Sequence, residues 1–158
     1  MRTQLAAAAL VVCALLAHAA AAAAHPGDAL ADRVADVVNE FPGGVEVAPG
    51  VIEWEGGAII LTLESEVSPR SIGTCATGQY CAWTSTSYGG TKLAFTSCSV
   101  GGTSSSLAAL GGPARSTANA RTTGTVDAVN SGSLVYTMAA NTGKPSNSAT
   151  LTHLVCFT

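Results

Sequence analysis

The chain has 158 residues, of which 47% are apolar, 5% aromatic and 11% charged, with 17 glycines and a formal net charge of −3. That length holds one domain and a small appendage once a leader is removed. Its scattered basic residues form no run and no recognition motif, which excludes a nucleic-acid-binding surface.

The N-terminus sets the expected compartment. Met1-Arg2-Thr3-Gln4 is a short positive start, Leu5 to Leu16 is unbroken apolar sequence, and a small-residue tract follows from Ala19 to Ala24. This is the pattern of a secretory signal peptide over residues 1–24, cut after Ala24, with Ala19 as the alternative site. The apolar run is too short for a membrane span, which needs about 20 residues. The expectation is a secreted, extracellular protein with no membrane attachment after cleavage.

Charge then divides the chain. Residues 25–66 carry Asp28, Asp32, Asp36, Glu40, Glu46, Glu53, Glu55, Glu64 and Glu66 against Arg33 alone. Residues 67–158 carry Arg70, Lys92, Arg115, Arg121 and Lys144 against Asp127 alone. Two separately solvated faces explain this, as does an acidic segment docked on the remainder as an appended or removable module.

Asp28 can cap a helix reaching about Asn39, with Leu30, Val34, Val37, Val38 and Phe41 at helical spacing and Pro42-Gly43-Gly44 as its stop. A hairpin follows, Val51 to Trp54 and Ala58 to Leu63, turned at Glu55-Gly56-Gly57, and it supplies the helix with an apolar partner. Val67-Ser68-Pro69-Arg70 reads as the connection onward.

Cys13 falls in the leader, which leaves Cys75, Cys81, Cys98 and Cys156. An even number in an exported chain implies two disulfides, with three pairings open. The favoured one joins Cys75 to Cys81 and Cys98 to Cys156, so that a seven-residue loop is closed and the last strand is tied back across the domain. No C-x2-C pair is present, so neither a metal site nor a cofactor is expected.

The stretch CATGQYCAWTSTSYGG, residues 75–90, is the most informative. A folded-over hairpin would stack Trp83 on Tyr88, an aromatic pair that adds about 0.5–1.5 kcal/mol beyond its buried area. Gly90 then takes a backbone conformation closed to most residues. Strands are expected at Gln79 to Thr84, Thr91 to Phe95 and Gly124 to Val129. Two more alternate Leu134, Tyr136, Met138 and Leu151, His153, Val155, Phe157. Ser97 to Thr125 lacks periodicity and reads as a long surface loop or a weakly regular crossover. A faint repeat, Tyr136-x4-Asn141-x-Gly143, echoes Trp83-x4-Tyr88-x-Gly90 and suggests a second hairpin of the same kind.

CATGQYCAW, the following GGTKLAF and PARSTANA (Pro113 to Ala120) resemble the secreted bacterial peptidase inhibitors of the metalloproteinase-inhibitor type. EFPGGVEVAPGVIEWEGGAIILTL, residues 40–63, is similar to an N-terminal extension common in such exported proteins. The likeness covers Cys75 to Ala120 well and is poor beyond Thr123. It implies a mainly β, βγ-crystallin-like double Greek-key sandwich over residues 67–158, preceded by the helix-plus-hairpin segment of residues 25–66. It also implies a monomer that binds an extracellular protease. The inhibitors of this family present a scissile bond beside a second short disulfide, and here only Cys156 follows Cys98. The candidate binding loop is therefore Thr77, Gly78 and Gln79, held by the Cys75–Cys81 bridge, with Trp83, Tyr88 and Gly90 as the structural motif.

Other classes are weaker. A βγ-crystallin calcium site would fall at Gly111 to Ser116, where only Ser116 fits and Arg115 repels a cation, and in the second half near Lys144 to Ser148, which is no better. A non-inhibitory cell-surface or structural module of the same fold is the alternative function. His153 reads as a packed or half-exposed strand residue, and no serine sits in a nucleophile elbow, so no enzyme is expected.

Overall fold

The computed structural model describes residues 26–63 and 75–158. The leader, Glu64, Glu66 and the Val67–Arg70 connection lie outside the described residues.

Helix α1 spans Pro26–Glu40. Proline suits the first turn, where its missing N–H would have no partner, and Asp28 in that turn complements the helix dipole. The eleven strands are β1 (Val45–Ala48), β2 (Val51–Trp54), β3 (Ile59–Thr62), β4 (Tyr80–Trp83), β5 (Lys92–Phe95), β6 (Thr103–Ser106), β7 (Ser116–Asn119), β8 (Thr125–Asn130), β9 (Ser133–Ala139), β10 (Thr142–Lys144) and β11 (His153–Phe157). A single 3-10 turn, Ala108–Leu110, lies between β6 and β7.

The described residues are mainly β, with two antiparallel sheets and one helix. One sheet runs β1-β2-β3-β5-β4-β7-β10 and the other β6-β11-β8-β9. The last eight strands fall into two sets of four, β4 to β7 and β8 to β11. Each set gives its third strand, β6 or β10, to the sheet of the other. That exchange makes the two sheets interdependent.

The acidic segment is built into this framework. Strand β3 pairs with β5 in the register Ile59↔Phe95 and Leu61↔Leu93, so the hairpin extends the first sheet. One buried cluster contains Val34, Ile52, Trp54, Leu61 and Leu63 together with Tyr80, Leu93, Phe95, Leu110, Val126 and Leu154. Leu30, Val37, Val38 and Phe41 of the helix side pack against the same cluster.

At three places the structure adds to or departs from the sequence expectations. The stretch read as a long surface loop or a weakly regular crossover does cross between the sheets, with β6 in one and β7 between β4 and β10 in the other. The residues of β7 are polar or small yet buried, so no apolar alternation marks it. In β11 the buried positions are Leu154 and Cys156, whereas His153, Val155 and Phe157 are half-exposed. The Cys98–Cys156 bridge fixes that phase, and a one-residue slip would turn Cys156 outward. In β9, Val135 is left without a partner between Leu134↔Val129 and Tyr136↔Ala128. This bulge leaves Leu134 60% exposed while Met138 stays buried.

The faint repeat does not mark equivalent hairpins. Trp83 to Gly90 links β4 to β5, whereas Tyr136 to Gly143 links β9 to β10. The true counterpart, between β8 and β9, is a two-residue turn at Ser131 and Gly132 with φ of 48° and 85°.

Both disulfides are formed, Cys75–Cys81 with a Cα separation of 5.9 Å and Cys98–Cys156 with 5.2 Å. By the entropy of loop closure the longer bridge stabilises by about 4 kcal/mol and the shorter by about 2.4 kcal/mol. Replacing Cys98 and Cys156 by alanine should therefore lower the urea midpoint more than replacing Cys75 and Cys81, as equilibrium unfolding will show.

Tyr80 is fully buried, stacks on Phe95 at 5.2 Å, donates to the Ser97 carbonyl at 3.0 Å and shares a hydrogen bond with Ser105 at 2.7 Å. Burial pushes its phenol, and that of Tyr136, above the ordinary value of 10.0. A raised folded-state pKa gives stability that is intact below about pH 10 and lost as pH rises through the folded value. Ultraviolet titration should show these two phenolates forming later than free tyrosine, and denaturant melts should weaken over the same window.

Candidate functional site

The hairpin after β4 is held by a dense set of main-chain bonds. The Thr84 amide donates to the Thr91 carbonyl at 3.1 Å and the Ser85 amide to the Gly89 carbonyl at 3.0 Å. Trp83 and Tyr88 meet edge to face with ring centroids 5.1 Å apart at 66°. Gly90 has φ of +80°, and a Cβ there would lie 2.3 Å from the Thr84 hydroxyl oxygen and 3.2 Å from the Ser85 amide nitrogen. Glycine alone fits both the conformation and the space.

A buried serine from a distant strand locks this hairpin. The Ser116 hydroxyl donates to the Ser85 carbonyl at 2.7 Å and accepts from the Tyr88 amide at 3.1 Å. Tyr88 itself has φ of +60°, and Ser87 beside it has +55°. Those left-handed residues are costly, and the Ser116 bonds offset that cost. Sequence reasoning missed Ser116 as a locking residue, because it lies in the stretch without periodicity.

The Cys75–Cys81 loop projects from the start of β4. Within it the Gln79 amide donates to the Ala76 carbonyl at 3.0 Å, and the Gln79 side-chain oxygen accepts from the Ala76 amide at 3.2 Å. Two further bonds fasten it to the end of β7: Gly78 donates to the Ala120 carbonyl at 3.1 Å, and Ala120 donates to the Gln79 carbonyl at 2.9 Å. Gly78 has φ of +90° with open space around it, so its conformation and not its volume requires glycine. Ala76, Thr77 and Gly78 form an exposed tip, and Gln79 is half-buried. The loop is thus clamped by one covalent bridge and four hydrogen bonds.

Cys75 at the base of the loop meets Trp83 and Tyr88 in one groove of about 330 Å³, whose lining does not include Thr77, Gly78, Gln79 or Gly90. Its walls include Cys75, Trp83, Tyr88, Ala118, Asn141 and Gly143. Tyr88 reaches over β10, where a Cβ on Gly143 would stand 2.7 Å from its hydroxyl. Asn141, with φ of +54°, turns the chain at the groove's rim, and its amide donates to the Arg121 carbonyl at 3.1 Å. The groove is walled by aromatic and small apolar side chains with a few amide and hydroxyl groups, which suits binding of a side chain or small ligand. Asn141 and Gly143 carry no local signal as neighbours of the loop and the hairpin, because the β9–β10 turn and β10, from the second set of four strands, supply them.

The positions considered for calcium are otherwise engaged. Ser116 serves the hairpin, and buried Asn147 spends its side chain on Ala114 and Ala149. Among the described residues no group of three or more His, Cys, Asp or Glu side chains gathers to hold a metal. No helix among them is long and apolar enough to cross a membrane, and two disulfides fit an extracellular protein.

Comparison of the chain with protein-family models, with curated proteins and with solved structures finds no match.

Ser116→Ala would strip two part-buried hydrogen bonds from the hairpin, those to the Ser85 carbonyl and from the Tyr88 amide. A loss of roughly 1–3 kcal/mol is expected, measurable by urea unfolding, with Trp83 becoming more accessible to a fluorescence quencher in the native state.

Proposed function

We propose that this chain is an exported, peptidase-inhibitor-like binding protein built on a βγ-crystallin-type double Greek key. The exchange of β6 and β10 between two sets of four strands supports the fold assignment. The clamped Cys75–Cys81 loop carries the functional reading. A segment already held in one conformation loses little entropy when it meets a partner, so more of its contact energy appears as affinity. The exposed tip at Ala76, Thr77 and Gly78 enters the cleft of an extracellular protease, and the groove beside Tyr88 takes a neighbouring side chain of the enzyme. Such a complex buries on the order of 800 Å² per partner.

A second reading is a non-inhibitory binding module of the same fold. It is favoured by one feature: only Cys156 follows Cys98, so the second half has no short cysteine-clamped segment to present a scissile bond. Fold likeness alone does not assign activity.

Inhibition assays of the mature protein against thermolysin-class and serine proteases separate the two. The inhibitor reading expects micromolar or tighter inhibition by the wild-type protein. Thr77→Glu should weaken it at least tenfold, about 1.4 kcal/mol, without moving the thermal midpoint. Absence of inhibition at about 10 μM, roughly −7 kcal/mol of affinity, leaves the non-inhibitory module.

A further inference from the structure

The acidity of the N-terminal segment has a local focus. Among its described residues, Asp28, Asp32, Asp36, Glu40, Glu46, Glu53 and Glu55 face a single base, Arg33. Helix α1 ends at Glu40 with no basic residue in its last turn. No basic side chain of the last turn compensates the negative end of the helix dipole, and the Glu40 carboxylate adds to it.

A cavity of about 470 Å³ opens at this end of the helix, between α1, the β2–β3 turn and the 3-10 turn. Its walls include Glu40, Phe41, Trp54, Glu55, Ile59 and Ala109. The Trp54 indole N–H donates to the Phe41 carbonyl at 3.0 Å, which fixes the ring at the helix end. Glu55 occupies the first turn position with φ of +52°. Glu40 and Glu55 are both exposed, and neither makes an ion pair or side-chain hydrogen bond with another described residue.

We propose that this cavity receives a lysine or arginine side chain presented by a basic segment of a partner protein. The apolar walls accept the methylene stem, as such stems commonly lie along apolar surface. The indole ring, the two carboxylates and the helix end all favour the charge at its tip. The surrounding acidic surface draws a basic segment in before contact. This surface is separate from the Cys75–Cys81 loop and does not depend on protease binding.

Nuclear magnetic resonance of the intact mature protein tests this through the Trp54 indole N–H. The probes are an acetylated, amidated pentapeptide with one central arginine between glycines and alanines, the same peptide with neutral citrulline, and free guanidinium ion. The arginine peptide should shift the Trp54 signal with an affinity on the order of millimolar. It should bind at least about tenfold more tightly than either other probe, and more weakly as salt is raised. Glu40→Gln with Glu55→Gln should reduce that binding about tenfold, while Asp32→Asn, the same kind of charge removal on the exposed helix surface, should leave it nearly unchanged. Equal binding of the citrulline peptide, equal binding of free guanidinium, full binding by the Glu40/Glu55 variant or no shift of Trp54 would each overturn the assignment.

Discussion

The architecture depends on a strand that ought not to tolerate burial. Strand β7 reads Ser-Thr-Ala-Asn, and Ser116, Thr117 and Asn119 are fully buried between β4 and β10. A buried polar group without a partner costs about 1–3 kcal/mol, so every one of these side chains must be satisfied. Ser116 turns to one part of the molecule, and Thr117 and Asn119 to another, strand β9. Ser116 bonds the folded hairpin, Thr117 shares a 2.9 Å hydrogen bond with Tyr136, and Asn119 donates to the Met138 carbonyl at 3.3 Å. One short strand therefore couples the hairpin, its own sheet and the opposite sheet. Apolar residues would bury as well, but they would not specify which neighbour each position must meet.

That constraint explains what could and could not be read along the chain. The helix, the β2–β3 hairpin, β4, β5 and the two disulfides are legible because each carries a local signal: apolar spacing, a glycine turn or a cysteine. The Trp83–Tyr88 contact and the left-handed Gly90 are legible for the same reason. Strand β7 is not, because its side chains are held by partners far along the chain, and such pairing leaves no periodic trace. The phase of β11 is hidden differently. Both faces of His153 to Phe157 carry large apolar groups, and only the bridge from Cys156 to Cys98 decides which face is inward. In β9 the alternation is real, but one unpaired residue, Val135, reverses it for Leu134.

The candidate site follows the same logic. Sequence places Thr77, Gly78 and Gln79 in a short covalent loop, and that alone would leave its tip free to swing about the disulfide. What makes the loop a fixed surface is its pair of main-chain bonds to Ala120, at the end of the buried polar strand. The groove beside it is likewise assembled from both sets of four strands, with Tyr88 from the first closing over Gly143 from the second. The loop is clamped within the first set of four strands, but the concavity beside it is a product of strand exchange and could not be read from either half of the sequence alone.

The division of charge acquires a physical meaning once the acidic segment is seen to share the core. Its apolar residues, Val34, Ile52, Trp54 and Leu61, are buried with those of the cysteine-bearing strands, and β3 extends the sheet from β5. Hydrophobic burial of several such side chains, at about 1.5–3 kcal/mol each, far exceeds anything solvated charges contribute across a surface. Attraction between the acidic and basic halves is therefore not what holds them together. The carboxylates are left facing solvent, where their cost to the fold is small and their field extends about one screening length, roughly 8–10 Å at physiological salt. A surface charged this way lies over a core whose stability does not depend on it.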